Sequence, residues 1–240
     1  MTSIRIVTAL LTAAIFVFSS DARAGSGAFA VDAADVGDAG SCKVESWVST
    51  ARNADFSAVV YPTCVFFPTN PTQFGLMANT ARGSGDWSTT LMPRFKTAVI
   101  PTSIGRFGFS AEGGAGFDAL SGENTSIFFN VPATLRLSEV MRISLNSGWL
   151  WDRVAEHHYF TYGASFDYKL TETLQFTAEV YGQSGATEFS SVRRPRVQSG
   201  LRWRPIDDFS IDLLYGHNIN GEHSNWLTVG TTIRFPPPAK

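Results

Sequence analysis

Between Lys43 and Phe235 the chain repeats one pattern. Stretches of roughly ten residues alternate apolar and polar side chains, and clusters of Gly, Pro, Asn, Asp and Ser separate them. The last stretch is the plainest: Leu227, Val229, Thr231, Ile233 and Phe235 alternate with Thr228, Gly230, Thr232 and Arg234. A period of two puts these sets on opposite faces of a β-strand. Twelve strands are predicted, at Lys43–Ser49, Ser57–Phe66, Gln73–Ala81, Trp87–Val99, Gly105–Phe117, Thr125–Leu137, Val140–Asp152, Tyr159–Leu170, Thr173–Gln183, Arg196–Arg204, Phe209–Asn218 and Asn225–Phe235.

Alternation alone does not say which face is inside. A soluble sandwich turns the apolar face inward, and a membrane barrel turns it outward. Connection lengths favour the barrel. After the sixth, eighth and tenth strands the turns are short, at Ser138-Glu139, Thr171-Glu172 and Pro205 to Asp208. After the seventh, ninth and eleventh they are longer: Arg153 to His158, Ser184 to Pro195 and Ile219 to Ser224. Short periplasmic turns opposite longer outer loops are the habit of transmembrane barrels. Aromatic residues gather at both ends of the strands. Trp149, Trp151, Tyr159, Phe160, Tyr162 and Tyr215 lie toward the outer loops, and Tyr168, Trp203, Phe209 and Phe235 toward the inner turns. Two such girdles suit two membrane interfaces.

Ahead of the strands, Arg5, the apolar run Ile6 to Phe18 and the small-x-small site Ala22-Arg23-Ala24 form a secretory signal peptide, residues 1–24. Its apolar run is too short to span a membrane, which takes about 20 residues. Residues 25–41, small and acidic without periodicity, are expected to be a mobile leader. The barrel takes 42–235, and 236–240 form a short periplasmic tail. Without the signal, the 19 basic and 21 acidic residues fall to 17 and 20, a balance with no footprint for nucleic acid. The chain has 19 Phe, 6 Trp and 6 Tyr but only 17% charged residues, too few for a surface wetted all round. Cys42 and Cys64 face each other when the first two strands fold back about Asn53, so a structural disulfide is expected.

The alternating last strand ending in aromatic Phe235 resembles the assembly signal of bacterial outer-membrane β-barrel proteins, and the likeness extends loosely over all twelve segments. The five residues after Phe235 depart from that pattern, in which the aromatic is usually last. The resemblance implies an all-β fold, a single antiparallel transmembrane barrel of about twelve strands, in the outer membrane. It also implies partners: outer-membrane lipids, lipopolysaccharide and the barrel-assembly machinery.

Strand parity assigns Arg94, Lys96, Arg106, Arg136, Arg142, Lys169, Arg196, Arg202, Arg204 and Arg234 to the lumen, with Glu112, Asp167, Glu179 and Asp212 as acidic partners. Two readings follow. The cations line a pore for small anionic solutes, or they interlock with the carboxylates and close it. Pro132 predicts a bulge or an interruption in its strand. The glycines of Phe107 to Phe117 have no following helix, so a kink or close approach is expected rather than a phosphate loop. His157, His158, His217 and His223 show no metal-ligand spacing, and no metal or other cofactor is expected. His217 lies on the apolar face near the outer rim, where a lipid hydrolase would carry its histidine, but no serine stands beside it. The function expected is therefore a porin-like channel with an arginine-rich lumen and no catalytic residues. The alternatives are a non-conducting structural or adhesive barrel and, behind it, a hydrolase.

Overall fold

The structure is a computed structural model that describes residues 28–83, 85–184, 195–219 and 224–236. The expected signal peptide, residues 185–194 and the tail beyond Pro236 lie outside these. The strands are β1 (Cys42–Ala51), β2 (Phe56–Phe66), β3 (Thr72–Gly83), β4 (Asp86–Ile100), β5 (Phe107–Asp118), β6 (Asn124–Arg136), β7 (Met141–Asp152), β8 (His157–Lys169), β9 (Leu174–Ser184), β10 (Arg196–Ile206), β11 (Phe209–Asn218) and β12 (Asn225–Phe235). Each pairs antiparallel with its sequence neighbours. β1 closes on β12, from Cys42 opposite Phe235 to Ala51 opposite Trp226. Closure removes every sheet edge, which a barrel in lipid requires because the hydrocarbon offers backbone groups no partner.

Facing follows parity. On β12, Leu227, Val229 and Ile233 are 45%, 46% and 45% exposed on the outside, whereas Thr228 and Thr232 are fully buried inside. Leu213 is exposed on β11 while Asp212 is buried beside it. The greasy face therefore looks out and the charged face is enclosed, the arrangement of a transmembrane barrel. A cation on the outer face should be costly: Leu213→Arg is expected to destabilise the refolded barrel by about 2–4 kcal/mol if it lies near the bilayer midplane, as measured by urea unfolding in phospholipid vesicles. A change under about 1 kcal/mol would place Leu213 near an interface or off the lipid-facing surface.

Prolines inside strands leave gaps in the ladder, since proline has no N–H to donate. Pairing of β2 with β3 lapses between Val60 and Thr63, around Pro62. Pairing of β4 with β5 lapses between Leu91 and Arg94, around Pro93. The interruption expected at Pro132 is there too: β5 and β6 keep their register but do not pair between Phe109–Ala133 and Glu112–Asn130. Cys42 and Cys64 are cross-strand partners and are joined by a disulfide. It closes a loop of 22 residues, a constraint worth about 3 kcal/mol in the chain-entropy picture.

One sequence expectation needs revision here. Tyr159 does not join the outer aromatic girdle: it falls on the inward parity of β8 and is 1% exposed. The alternation of loop length, read from the later strands, is not shared by the earlier ones. β3 and β4 are joined at the outer end by residues 84–85, while the inner β4–β5 connection runs from 101 to 106.

Candidate functional site: the barrel interior and its leader

The interior carries wall charges and a threaded peptide. Arg94 is wholly buried. Its guanidinium pairs with Glu112 and lies over the rings of Tyr61 and Phe128, at 5.2 and 5.1 Å. Arg202 reaches Asp212 through two hydrogen bonds of 2.6 and 2.8 Å. Asp167 accepts from Arg142 at 2.8 Å, Gln175 at 3.0 Å and Thr177 at 2.6 Å. Charge-assisted bonds of this kind hold long side chains rigid.

The remaining wall cations lie nearer the strand ends. Arg136 ends β6 and is largely exposed at the inner mouth, and Lys169, the last residue of β8, is exposed beside the next turn. Arg204 and Arg234 are half-buried near the same mouth and make no ion pair among the described residues; Arg234 reaches only the Ser210 hydroxyl, at 3.4 Å. Arg196 opens β10 at the outer end, over the ring of Trp226 at 5.7 Å. Arg106 does not belong to the wall. It stands exposed in the connection before β5, where its N–H bonds to the Ser103 carbonyl, because the strand begins at Phe107, two residues later than the expected Gly105.

The leader overturns the sequence expectation most. Residues 28–35 run inside the barrel, with Ala28, Phe29, Val31, Asp32 and Ala34 buried, and the chain comes out to exposed Gly37, Asp38 and Gly40 before β1. Near the inner mouth the Asp35 carboxylate accepts from Arg136 at 3.0 Å, Arg142 at 3.3 Å and the Thr102 hydroxyl. Ala34 N–H donates to Thr134 Oγ1 at 2.8 Å, and Lys96 reaches both the Ala33 carbonyl and the Asp32 carboxylate, the latter at 3.0 Å. Asn146 clamps the Asp32 main chain, accepting its N–H at 2.8 Å and donating to its carbonyl at 2.7 Å. Farther in, Glu179 accepts the N–H groups of Ala30 at 3.0 Å and Val31 at 3.1 Å, while Gln198 donates to the same carboxylate at 2.5 Å. The Phe29 ring lies under Arg202 at 4.5 Å.

Two wall glycines leave room for this peptide. A Cβ on Gly163 would come within 2.8 Å of Val31 Cγ2, and one on Gly230 within 2.9 Å of the Ala28 methyl. Burial alone would raise the Asp35 carboxyl, but the Thr102 hydroxyl and the charges of Arg136, Arg142 and Lys96 outweigh it and hold the group below its ordinary range. Its grip is therefore complete above the usual carboxylate range of about 3.9 and is lost only as pH falls through the lowered value.

The lumen is also greasier than the sequence suggested. Trp47, Val59, Tyr61, Met77, Met92, Phe128, Leu150, Tyr159 and Leu214 point inward and form one cluster with Ala28 and Phe29 of the leader. The signal was present in the sequence, as apolar residues on the polar parity of β1, β2, β7 and β11. The leader's own signal was Phe29 and Val31 just ahead of Asp32 and Asp35, against a wall rich in cations.

The histidines lie apart. His158 stacks against Trp149 and Trp151 at 5.5 and 5.7 Å, and His217 bonds Asn225 Oδ1 at 2.5 Å. The β10 partner of His217 is Val197, where a nucleophile would need a hydroxyl. His223 lies outside the described residues. Among the described residues no three His, Cys, Asp or Glu side chains cluster as metal ligands.

Comparison with known proteins places the fold. The KdgM porin in complex with disordered oligogalacturonate is similar over 81% of this chain and 99% of its own, with a TM-score of 0.58 and 10% identity. The NanC porin is similar over 79% and 98%, with a TM-score of 0.62 and 8% identity. The COG4313 outer membrane channel from Pseudomonas putida F1 is similar over 84% and 97%, with a TM-score of 0.62 and 9% identity. No curated protein matches. A family profile described as "Uncharacterised conserved protein UCP029691" matches residues 13–235. With its closed sheet and outward apolar face, the molecule shares the antiparallel β-barrel fold of these outer-membrane channels.

Proposed function

The chain belongs to the family described as "Uncharacterised conserved protein UCP029691", and we propose that it is an outer-membrane channel for small anionic solutes, with its passage running through the arginine-rich interior. One observation carries the reading: the wall holds more positive charge near the inner mouth than its own carboxylates neutralise. Arg204 and Arg234 have no ion-pair partner among the described residues, Arg136 takes its carboxylate from the leader, and Arg142 shares the same leader carboxylate in addition to its wall partner Asp167. Rings of like charge in a pore select counter-ions. The similar porins support the reading, and one of them is described with the polyanion oligogalacturonate. The strand ending at Phe235 serves as the signal for the barrel-assembly machinery, and lipopolysaccharide surrounds the outer rim.

Reversal potentials in planar bilayers under a salt gradient test this. The open channel is expected to favour anions, and Arg204→Glu with Arg234→Glu is expected to cut the anion-to-cation permeability ratio at least about twofold. A cation-selective channel, or a ratio indifferent to both substitutions, would remove the reading. The inward apolar cluster favours a second one, a closed barrel whose work lies at its outer rim, and for that barrel the bilayer stays silent even after the leader is removed.

A further inference from the structure

The wall holds the leader by two carboxylate grips, Lys96 on Asp32 and the Thr102, Arg136, Arg142 group on Asp35. We propose that these grips are the solute-binding sites of the channel, and that the leader occupies them in competition with a linear acidic oligosaccharide. The proposal rests on the channel reading for its biological meaning, although the binding it describes is tested separately.

The grips belong to one arc of the wall, formed by β4, its connection to β5, β6 and β7. They recognise a carboxylate and nothing else of the aspartates that fill them. The wall fills them only in part: Glu112, opposite Lys96 in the register, is engaged by Arg94, and Asp167 takes Nε and Nη2 of Arg142 at 2.8 Å but leaves Nη1 of that arginine to Asp35. Between and beyond the grips stand groups that suit a sugar. Asn146 offers one donor and one acceptor to the Asp32 main chain, and Thr134 and Glu179 accept from N–H groups that hydroxyls could replace. Asp32 and Asp35 are three residues apart, so their attachment points are separated by at most about 10 Å. The solute is therefore a chain with carboxylates recurring within that distance and hydroxyls between them. The leader is tethered at Cys42, so it stays near its site when displaced and returns when the solute leaves.

Hydrogen exchange read by mass spectrometry, on protein purified from outer membranes into detergent, tests this directly. The N–H groups of Ala30, Val31, Asp32 and Ala34 are bonded to wall side chains and should exchange slowly. Millimolar hexagalacturonate is expected to speed their exchange at least about tenfold, and neutral maltohexaose is expected to leave it unchanged. In Asp32→Asn/Asp35→Asn protein, hexagalacturonate should bind at least about tenfold more tightly, because its competitor has lost its charge. Adding Lys96→Gln and Arg142→Gln should abolish that binding. Leader exchange untouched by the acidic sugar, or moved equally by the neutral one, overturns the proposal, and the wild-type measurement decides this even where a variant fails to assemble. Conductance separates the two readings. Anion currents with no response of the leader to hexagalacturonate sink this inference alone, whereas displacement of the leader in a barrel that never conducts sinks the channel reading alone.

Discussion

Removal of residues 25–36 turns a nearly silent barrel into a conducting one, with mean current at a fixed voltage rising at least about tenfold. The expectation follows from what the leader occupies. Its main chain satisfies Glu179, Asn146 and Thr134, its carboxylates sit on Lys96, Arg136 and Arg142, and Phe29 adds a ring to the inward apolar cluster. Once it is gone, those wall groups are left without the partners the leader supplied, and polar groups around a cavity take up water. A twelve-stranded barrel lies between eight strands, which side chains can fill, and the sixteen to eighteen that leave an aqueous channel. An added peptide can thus decide whether the lumen is open. The measurement is single-channel recording of wild-type and truncated protein, after a heat-modifiable gel shift has shown both to be closed barrels. If truncation leaves the current unchanged, Trp47, Tyr61, Phe128 and their neighbours close the lumen without help, and the scaffold reading replaces the channel.

Loss of Arg94 should be the most damaging single change in the wall. Arg94→Met leaves the buried Glu112 carboxylate with one side-chain hydrogen bond, from Asn130 at 3.4 Å, and the more distant charge of Lys96, and removes a guanidinium that lies over two aromatic rings. Breaking a buried pair from one side costs about 3–5 kcal/mol, because the surviving charge has lost its counter-charge without regaining water. Adding Glu112→Leu to Arg94→Met should recover most of the loss, since the orphaned charge is then gone too. Urea midpoints of barrels refolded in phospholipid vesicles measure both. A cost for Arg94→Met under about 1 kcal/mol would class the pair with surface ion pairs and imply that water reaches Glu112.

Much of the barrel was legible residue by residue. Strand β12 runs over the residues its alternation marked, and the reflection about Asn53 that set Cys42 against Cys64 is the observed pairing. Parity works because successive side chains on a strand have no choice but opposite faces. It also placed Arg94, Glu112, Asp167, Glu179, Arg202 and Asp212 among the enclosed residues. It stopped working where the strand stopped, at Arg106, and for Tyr159, whose aromatic character suggested a membrane girdle while its position pointed inward. The leader was missed for another reason. A stretch of small and acidic residues lacks the apolar content to fold by itself, and by composition it resembles a disordered tail.

Local pattern alone therefore determined the number of strands and their register at the first hairpin, because each depends on neighbours two residues away or on a turn between adjacent segments; which face meets lipid took the connection lengths and aromatic girdles as well. Whether the interior is empty depended on tertiary structure. Asp35 finds Arg136 and Arg142 more than a hundred positions along the chain, and Val31 finds Glu179 at a separation of 148. Those contacts exist only once twelve strands have curled into a ring of fixed width, since closure brings the walls around the leader from all sides and supplies the partners that its own sequence lacks.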